Sequence, residues 1–168
     1  MLANLLNKID GKRPFAEVSA HCDIPCKIYD PITAQLAVLT MIRMVDLLAE
    51  LPEPAVMTAN QLAQFNRLVS EKELHGCKVK DEVQVIWGDY IKQPQLDAYP
   101  ELHQLSHSIM LAASKAKQHI DRAATLDLLV KVNRFAEIFW LSKGIEVFAA
   151  PCPYPPAEVV IYPILTSK

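Results

Sequence analysis

Glycine is scarce in this chain, at four of 168 residues. Gly-rich phosphate cradles need several closely spaced glycines, and neither a G-x-G-x-x-G nor a Walker pattern occurs. There is no surplus of positive charge: 17 Lys and Arg stand against 19 Asp and Glu, a net charge of −2. That excludes broad nucleic-acid binding, which uses a basic face. No apolar run approaches the ~18 residues of a membrane span, so no membrane partner is expected. The first twenty residues, MLANLLNKIDGKRPFAEVSA, lack the continuous apolar core of a secretory signal. The four cysteines (Cys22, Cys26, Cys77 and Cys152) are thus expected in a reducing compartment, the cytoplasm, where thiols serve metals or redox chemistry more often than staples.

What the chain does have is a core. Hydrophobic residues make up 51% and charged residues 21%, a balance that folds, over a length suited to one domain. Asp30-Pro31 is a helix start: Asp caps free amides, and Pro fits the first turn because it has no N–H to leave unpaired. The helix that follows stops before Pro52 and Pro54. A second starts at Thr58 and runs toward Tyr90, with Gly76 as its weak point. Pro94 and Pro100 bracket a loop. A third helix carries Leu102, Leu105, Ile109, Ala113, Ala116 and Ile120 as one stripe. A fourth carries Leu128, Val132, Phe135 and Phe139 and ends near Gly144. Amphipathic helices with short connectors predict an all-α, up-and-down four-helix bundle over 31–144. Residues 145–168 hold five prolines and predict an extended tail. Its apolar end, VVIYPIL, must pack on the bundle or on a neighbouring subunit. Trp87, Trp140 and Phe139 read as core, Cys77 and Cys152 as packed thiols, and His103, His107 and His119 as surface or capping groups.

The chemistry concentrates in residues 21–31, His-Cys-Asp-Ile-Pro-Cys-Lys-Ile-Tyr-Asp-Pro. One imidazole and two thiols within six residues form a soft donor set suited to zinc, copper, nickel or iron. Residues 18–20, Val-Ser-Ala, are small enough for a peptidase to cut after. Cleavage there would free the amine of His21. That amine, the deprotonated Cys22 amide and the thiolates of Cys22 and Cys26 would then be four strong donors able to lie in a plane, with the His21 imidazole axial. Planar nitrogen and sulfur donors favour nickel(II) or copper(II) over zinc. Thiolate and amidate also donate charge strongly, which stabilises a nickel(III) ion. On this reading residues 1–20 are a pro-segment, 21–30 a metal hook, and the bundle and tail follow.

The motif H-C-D-x-P-C-x-x-Y-D-P resembles the N-terminal hook of the nickel-containing superoxide dismutases. VIWGDYIKQPQLDAYPELHQL, residues 85–105, and Ile138-Phe139-Trp140 are similar to two further stretches of that family. The resemblance covers roughly residues 21–143. It implies a superoxide dismutase cycling between nickel(II) and nickel(III), with His21, Cys22 and Cys26 as ligands and superoxide as substrate. It implies a cis peptide before Pro25, Tyr29 closing over the open face, and Asp23 holding the hook. Tyr90 and Lys92 would lie at the mouth, Lys92 attracting the anion. It further implies a maturation peptidase and a homo-oligomer, a hexamer.

The chain departs from the family pattern in one respect. Family members place a glutamate on the first helix and an arginine on the second to orient the ligand imidazole. Ala37 and His75 stand at those positions here, and His75 is expected to take over part of the role. Two rival readings differ in class. One is a zinc-stabilised, non-catalytic helical module in which Cys77 and Cys152 complete the ligand set. The other is an inactive homologue with a Cys22–Cys26 disulfide.

Overall fold

The first helix begins as its sequence dictates. Asp30 Oδ1 accepts the Ile32 amide at 2.8 Å, and the Gln35 amide donates to the Pro31 carbonyl at 3.1 Å, so Pro31 sits in the first turn. A computed structural model describes residues 27–165. Residues 1–26, which hold the expected pro-segment and the expected hook through Cys26, lie outside the described residues, as do residues 166–168.

Four long helices pack together, as expected: α1 (Ile32–Ala49), α2 (Ala59–Val85), α4 (Leu102–Gln118) and α5 (Arg122–Ser142). Thr58 and Gln61 cap α2 reciprocally, and Asp121 Oδ1 caps α5 by accepting the amides of Ala123 and Ala124. The stripe Leu128, Val132, Phe135 and Phe139 is sealed, at 0–1% exposure. Each such side chain contributes about 1.5–3 kcal/mol of burial. Opposite it lie Val38, Met41 and Ile42 of α1, Val79 and Val83 of α2, and Ile109 and Ala113 of α4.

Several expectations need correction. Ile32–Ala49 is long and apolar enough to cross a membrane, with a mean hydropathy of 1.6 over 18 residues. Reading for uninterrupted apolar runs missed it because Gln35, Arg43 and Asp46 break the run without lowering the average enough. Half of that helix is buried inside the bundle, where apolar side chains serve as core. Gly76 does not weaken α2: it is buried in a continuous helix, at a point where a Cβ would lie 2.2 Å from Lys117 Cγ and 3.2 Å from Met41 Cε. The segment between Pro94 and Pro100 is not all loop. Gln93–Ala98 forms a short helix, α3, because Pro94 falls in its first turn, where no amide is required. Ile120 lies past the end of α4 and is 51% exposed.

The C-terminal segment is a β-hairpin rather than a bare tail. Strands β1 (Val147–Pro151) and β2 (Val159–Pro163) pair antiparallel, Val147 opposite Pro163 and Pro151 opposite Val159. The prolines stand at strand ends, where a missing donor does least harm. Gly144, at φ +72, turns the chain out of α5 toward β1. The hairpin lies on its own bundle, one of the two packings expected. Val160 and Cys152 are buried, Asn133 Nδ2 donates to the Val159 carbonyl at 2.8 Å, and Gln35 Nε2 donates to the Ile161 carbonyl at 3.0 Å.

Candidate metal centre and its mouth

Two elements meet where the chain leaves the hook. The first is the segment entering α1. Lys27, directly after Cys26, has φ +58, a left-handed conformation that costs a non-glycine residue about 1–2 kcal/mol. It turns the chain sharply at the hook's exit. Tyr29 follows, half-buried against the bundle.

The second element is the end of α2. There the helix widens into a π-turn, Ile86–Tyr90, in which the Ile91 amide donates to the Ile86 carbonyl at 3.1 Å. Such turns displace the side chains that follow and recur at functional sites. Here the turn leaves Trp87, Gly88 and Asp89 outward and lays Tyr90 on the core. The rings of Tyr29 and Tyr90 are 5.9 Å apart and tilted at 49°. Tyr90 in turn lies 4.8 Å from Phe139, and Phe139 lies 5.0 Å from Trp140. Both tyrosines of the sequence reading are therefore brought together, with Tyr90 set against Phe139 of the Ile138-Phe139-Trp140 stretch.

The Tyr90 hydroxyl is fixed by a residue that the sequence did not single out. It lies 2.8 Å from Ser142 Oγ, and that hydroxyl donates its one hydrogen to the Phe139 carbonyl at 2.7 Å. Tyr90 is thus the donor to Ser142. Lys143 is the second unforeseen neighbour: its Nζ is 4.8 Å from the Tyr90 ring centre and 4.9 Å from that of Phe139. The signal available in the sequence was position alone, since both residues directly follow the Phe139-Trp140 stretch.

Lys92 is exposed, and its ammonium donates to the Gly88 carbonyl at 3.1 Å. Trp87 is not core: it is 38% exposed, and its indole N–H donates to His103 Nδ1 at 3.1 Å. Phe139 and Trp140 are core. His103, His107 and His119 are exposed, as expected. Ala37 is buried and presents only a methyl group. His75 Nδ1 lies 2.9 Å from the Glu71 carbonyl.

The expected ligands His21, Cys22 and Cys26, together with Asp23 and the Ile24–Pro25 peptide expected to be cis, lie outside the described residues. Among the described residues no group of three or more His, Cys, Asp or Glu side chains could hold a metal. Cys77 is exposed on α2, not packed, with Lys117 Nζ 3.1 Å from its sulfur. Cys152 is buried in the hairpin, where its thiol donates to the Tyr154 carbonyl at 3.2 Å. These two thiols stand on separate elements with separate partners. The zinc reading, which needed both beside the hook, loses its support.

Comparison with known proteins agrees with this geometry. Residues 16–143 match the family model for nickel-containing superoxide dismutase. The chain is 35% identical over 130 residues to the nickel superoxide dismutase of Streptomyces coelicolor, covering 77% of this chain and 93% of that protein. It is 34% identical over 131 residues to the enzyme of Streptomyces seoulensis, with the same coverage. Among solved structures, a native nickel superoxide dismutase aligns with a TM-score of 0.65 at 32% identity, over 73% of this chain and 99% of that one. The oxidised-state crystal structure aligns with a TM-score of 0.65 at 31% identity, over 74% and 99%.

Proposed function

The chain belongs to the nickel-containing superoxide dismutase family and is an oxidoreductase that dismutes superoxide with nickel; on that premise we propose that residues 1–20 are a removable leader and that His21, Cys22 and Cys26 hold the metal. The donor set fits the group. Two thiolates, an amine and a backbone amidate are soft, strong-field donors at a spacing that permits a plane, and an imidazole is available as a fifth ligand. Bound there, nickel supplies a one-electron couple between its II and III states, through which two superoxide ions and two protons yield dioxygen and hydrogen peroxide.

The chain's own residues do the rest. Tyr29 covers the open side of the hook and admits only small anions. Tyr90 backs Tyr29, Asp23 holds the hook's turn, and Lys92 contributes positive charge at the mouth. His75 takes part of the orienting role that Ala37 has lost. The single observation that carries this reading is the tilted ring contact of Tyr29 with Tyr90, because it docks the segment that follows Cys26 against the bundle at a defined place.

A homohexamer is part of the proposal, and exposed apolar side chains such as Leu111, Val130 and Phe148 offer surface for subunit contacts. A maturation peptidase and a cytoplasmic location complete the proposal. Removing the leader takes away three positive and two negative groups from totals of 17 and 19, leaving a mature net charge of −3.

The test is intact mass and metal content of protein purified from its native host, followed by assay of both chain forms. The mature form should begin at His21, carry one nickel per chain and show a rhombic nickel(III) resonance. Full dismutation by the 1–168 form, or zinc as the dominant metal, overturns the ligand assignment.

A further inference from the structure

We infer that Lys143 is the principal steering residue for the anionic substrate, an inference that rests on the proposed place of the hook beside Tyr29. Its ammonium and the Tyr29 ring are both neighbours of Tyr90: Nζ lies 4.8 Å from the Tyr90 ring centre, and Tyr29 lies 5.9 Å from it. Contact with a second ring, Phe139 at 4.9 Å, fixes the charge in place, since aromatic faces attract cations within about 6 Å.

The backbone beneath it is equally well placed. The Lys143 amide donates to the Trp140 carbonyl at 3.0 Å, and the chain turns away at Gly144. The charge is therefore carried on the rigid C-terminal end of α5, which favours a cation through the helix dipole. Lys92 is differently disposed, because its ammonium is turned back onto the Gly88 carbonyl of its own π-turn. Without its leader the chain carries −3, from 14 positive and 17 negative groups, and repels an anion. Attraction must then be local, and Lys143 supplies a positive charge on the Tyr90 ring, against which Tyr29 is set.

Nickel-loaded wild type, Lys143→Met and Lys143→Arg test this by measurement of kcat/KM for superoxide from low ionic strength to about 1 M, where screening shrinks to ~3 Å. Nickel-free protein tests it by NMR titration with azide, a small anion that should shift the Tyr90 ring signals in wild type and in the Arg variant but not in the Met variant. Methionine keeps the packing on the rings and removes the charge. It should lower kcat/KM by about tenfold at low salt and converge on wild type at high salt, while the Arg variant keeps the wild-type profile. A Met variant that tracks wild type at every salt overturns the inference. So does one depressed by the same factor throughout, which would mean that Lys143 only packs. Inactive nickel-loaded wild type would instead overturn the functional reading, and the steering role with it.

Discussion

The Tyr29 ring rests on the Tyr90 ring at 5.9 Å, and Tyr90 is held from behind by Phe139 at 4.8 Å and by Ser142 at 2.8 Å. A residue three positions after the last hook thiol is thereby positioned by the ends of two distant helices. Tyr90→Phe keeps the ring and loses one hydrogen bond, so it should cost about 1 kcal/mol in thermal unfolding. Tyr90→Ala removes the platform and should cost about 3–5 kcal/mol. It should also make Tyr29 fluorescence report a more solvated ring. Equal effects of the two variants would show that the aromatic contact does not seat Tyr29.

Lys72 is a buried cation at 1% exposure. It donates to the carbonyls of Ala116 and Lys117 at the end of α4, satisfying groups that the helix leaves unpaired. Burial is the main cause that pulls its pKa below the ordinary lysine value, outweighing the nearby Glu73. Between the lowered native pKa and 10.5 the unfolded chain binds more protons than the native one. Stability from this group is therefore complete above 10.5 and is lost as pH falls through the native pKa. The neutral amine still has two hydrogens for the two carbonyls. Lys72→Met should cost about 1–3 kcal/mol at neutral pH, from the orphaned carbonyls. It should also flatten the alkaline rise in unfolding free energy, measured by urea titration at stepped pH.

Gly76→Ala would place a Cβ 2.2 Å from Lys117 Cγ. Alanine's better helix propensity is worth about 1 kcal/mol, whereas overpacking costs about 1–3 kcal/mol. Here the obstruction is the middle of the Lys117 side chain rather than its free end, so the clash should win. A net loss of about 1 kcal/mol is expected from chemical denaturation. A more stable variant would mean that Lys117 swings aside freely.

One arginine ties the hairpin to two helices. Arg122 donates to Asp46 of α1 at 2.7 Å and to Glu158, at the foot of β2, at 2.6 Å. Its guanidinium pKa is raised by those two carboxylates. These groups are partly exposed, and such pairs contribute about 0.2–1 kcal/mol. Burial of Val160 at 0% exposure contributes more. Val160→Asp should therefore speed amide exchange in both strands and cost about 2–3 kcal/mol. Arg122→Ala should stay below about 1 kcal/mol. The reverse order would make the ion pairs, not the apolar contact, the anchor.

His75→Ala tests whether the second helix still orients the hook. If His75 has taken over the missing arginine's work, the variant should bind nickel with about 10–100-fold lower affinity or lose activity by a similar factor. Its nickel(III) resonance should shift as well. Wild-type activity with an unchanged resonance would remove His75 from the site.

Much of the fold was legible because helical bundles rest on local rules. Asp30-Pro31 and Thr58 mark helix starts, and the stripe from Leu128 to Phe139 repeats at helical spacing. Several of the departures were decisions made at a distance. Gly76 reads as a flaw until Lys117 is laid against it. Trp87 reads as core until the π-turn carries it outward to His103. The prolines of the tail hide a hairpin, because β-pairing depends on a partner strand eight residues on and on the bundle surface beneath.

The sequence by itself determined the helical class and the family, since capping, apolar spacing and the hook motif are written in adjacent residues. Only the tertiary structure decided that Tyr90, Ser142 and Lys143 stand together behind Tyr29. Those residues come from the start of α1 and the ends of α2 and α5. Their meeting follows from how three helices cross and where a π-turn shifts the register, which no local pattern encodes.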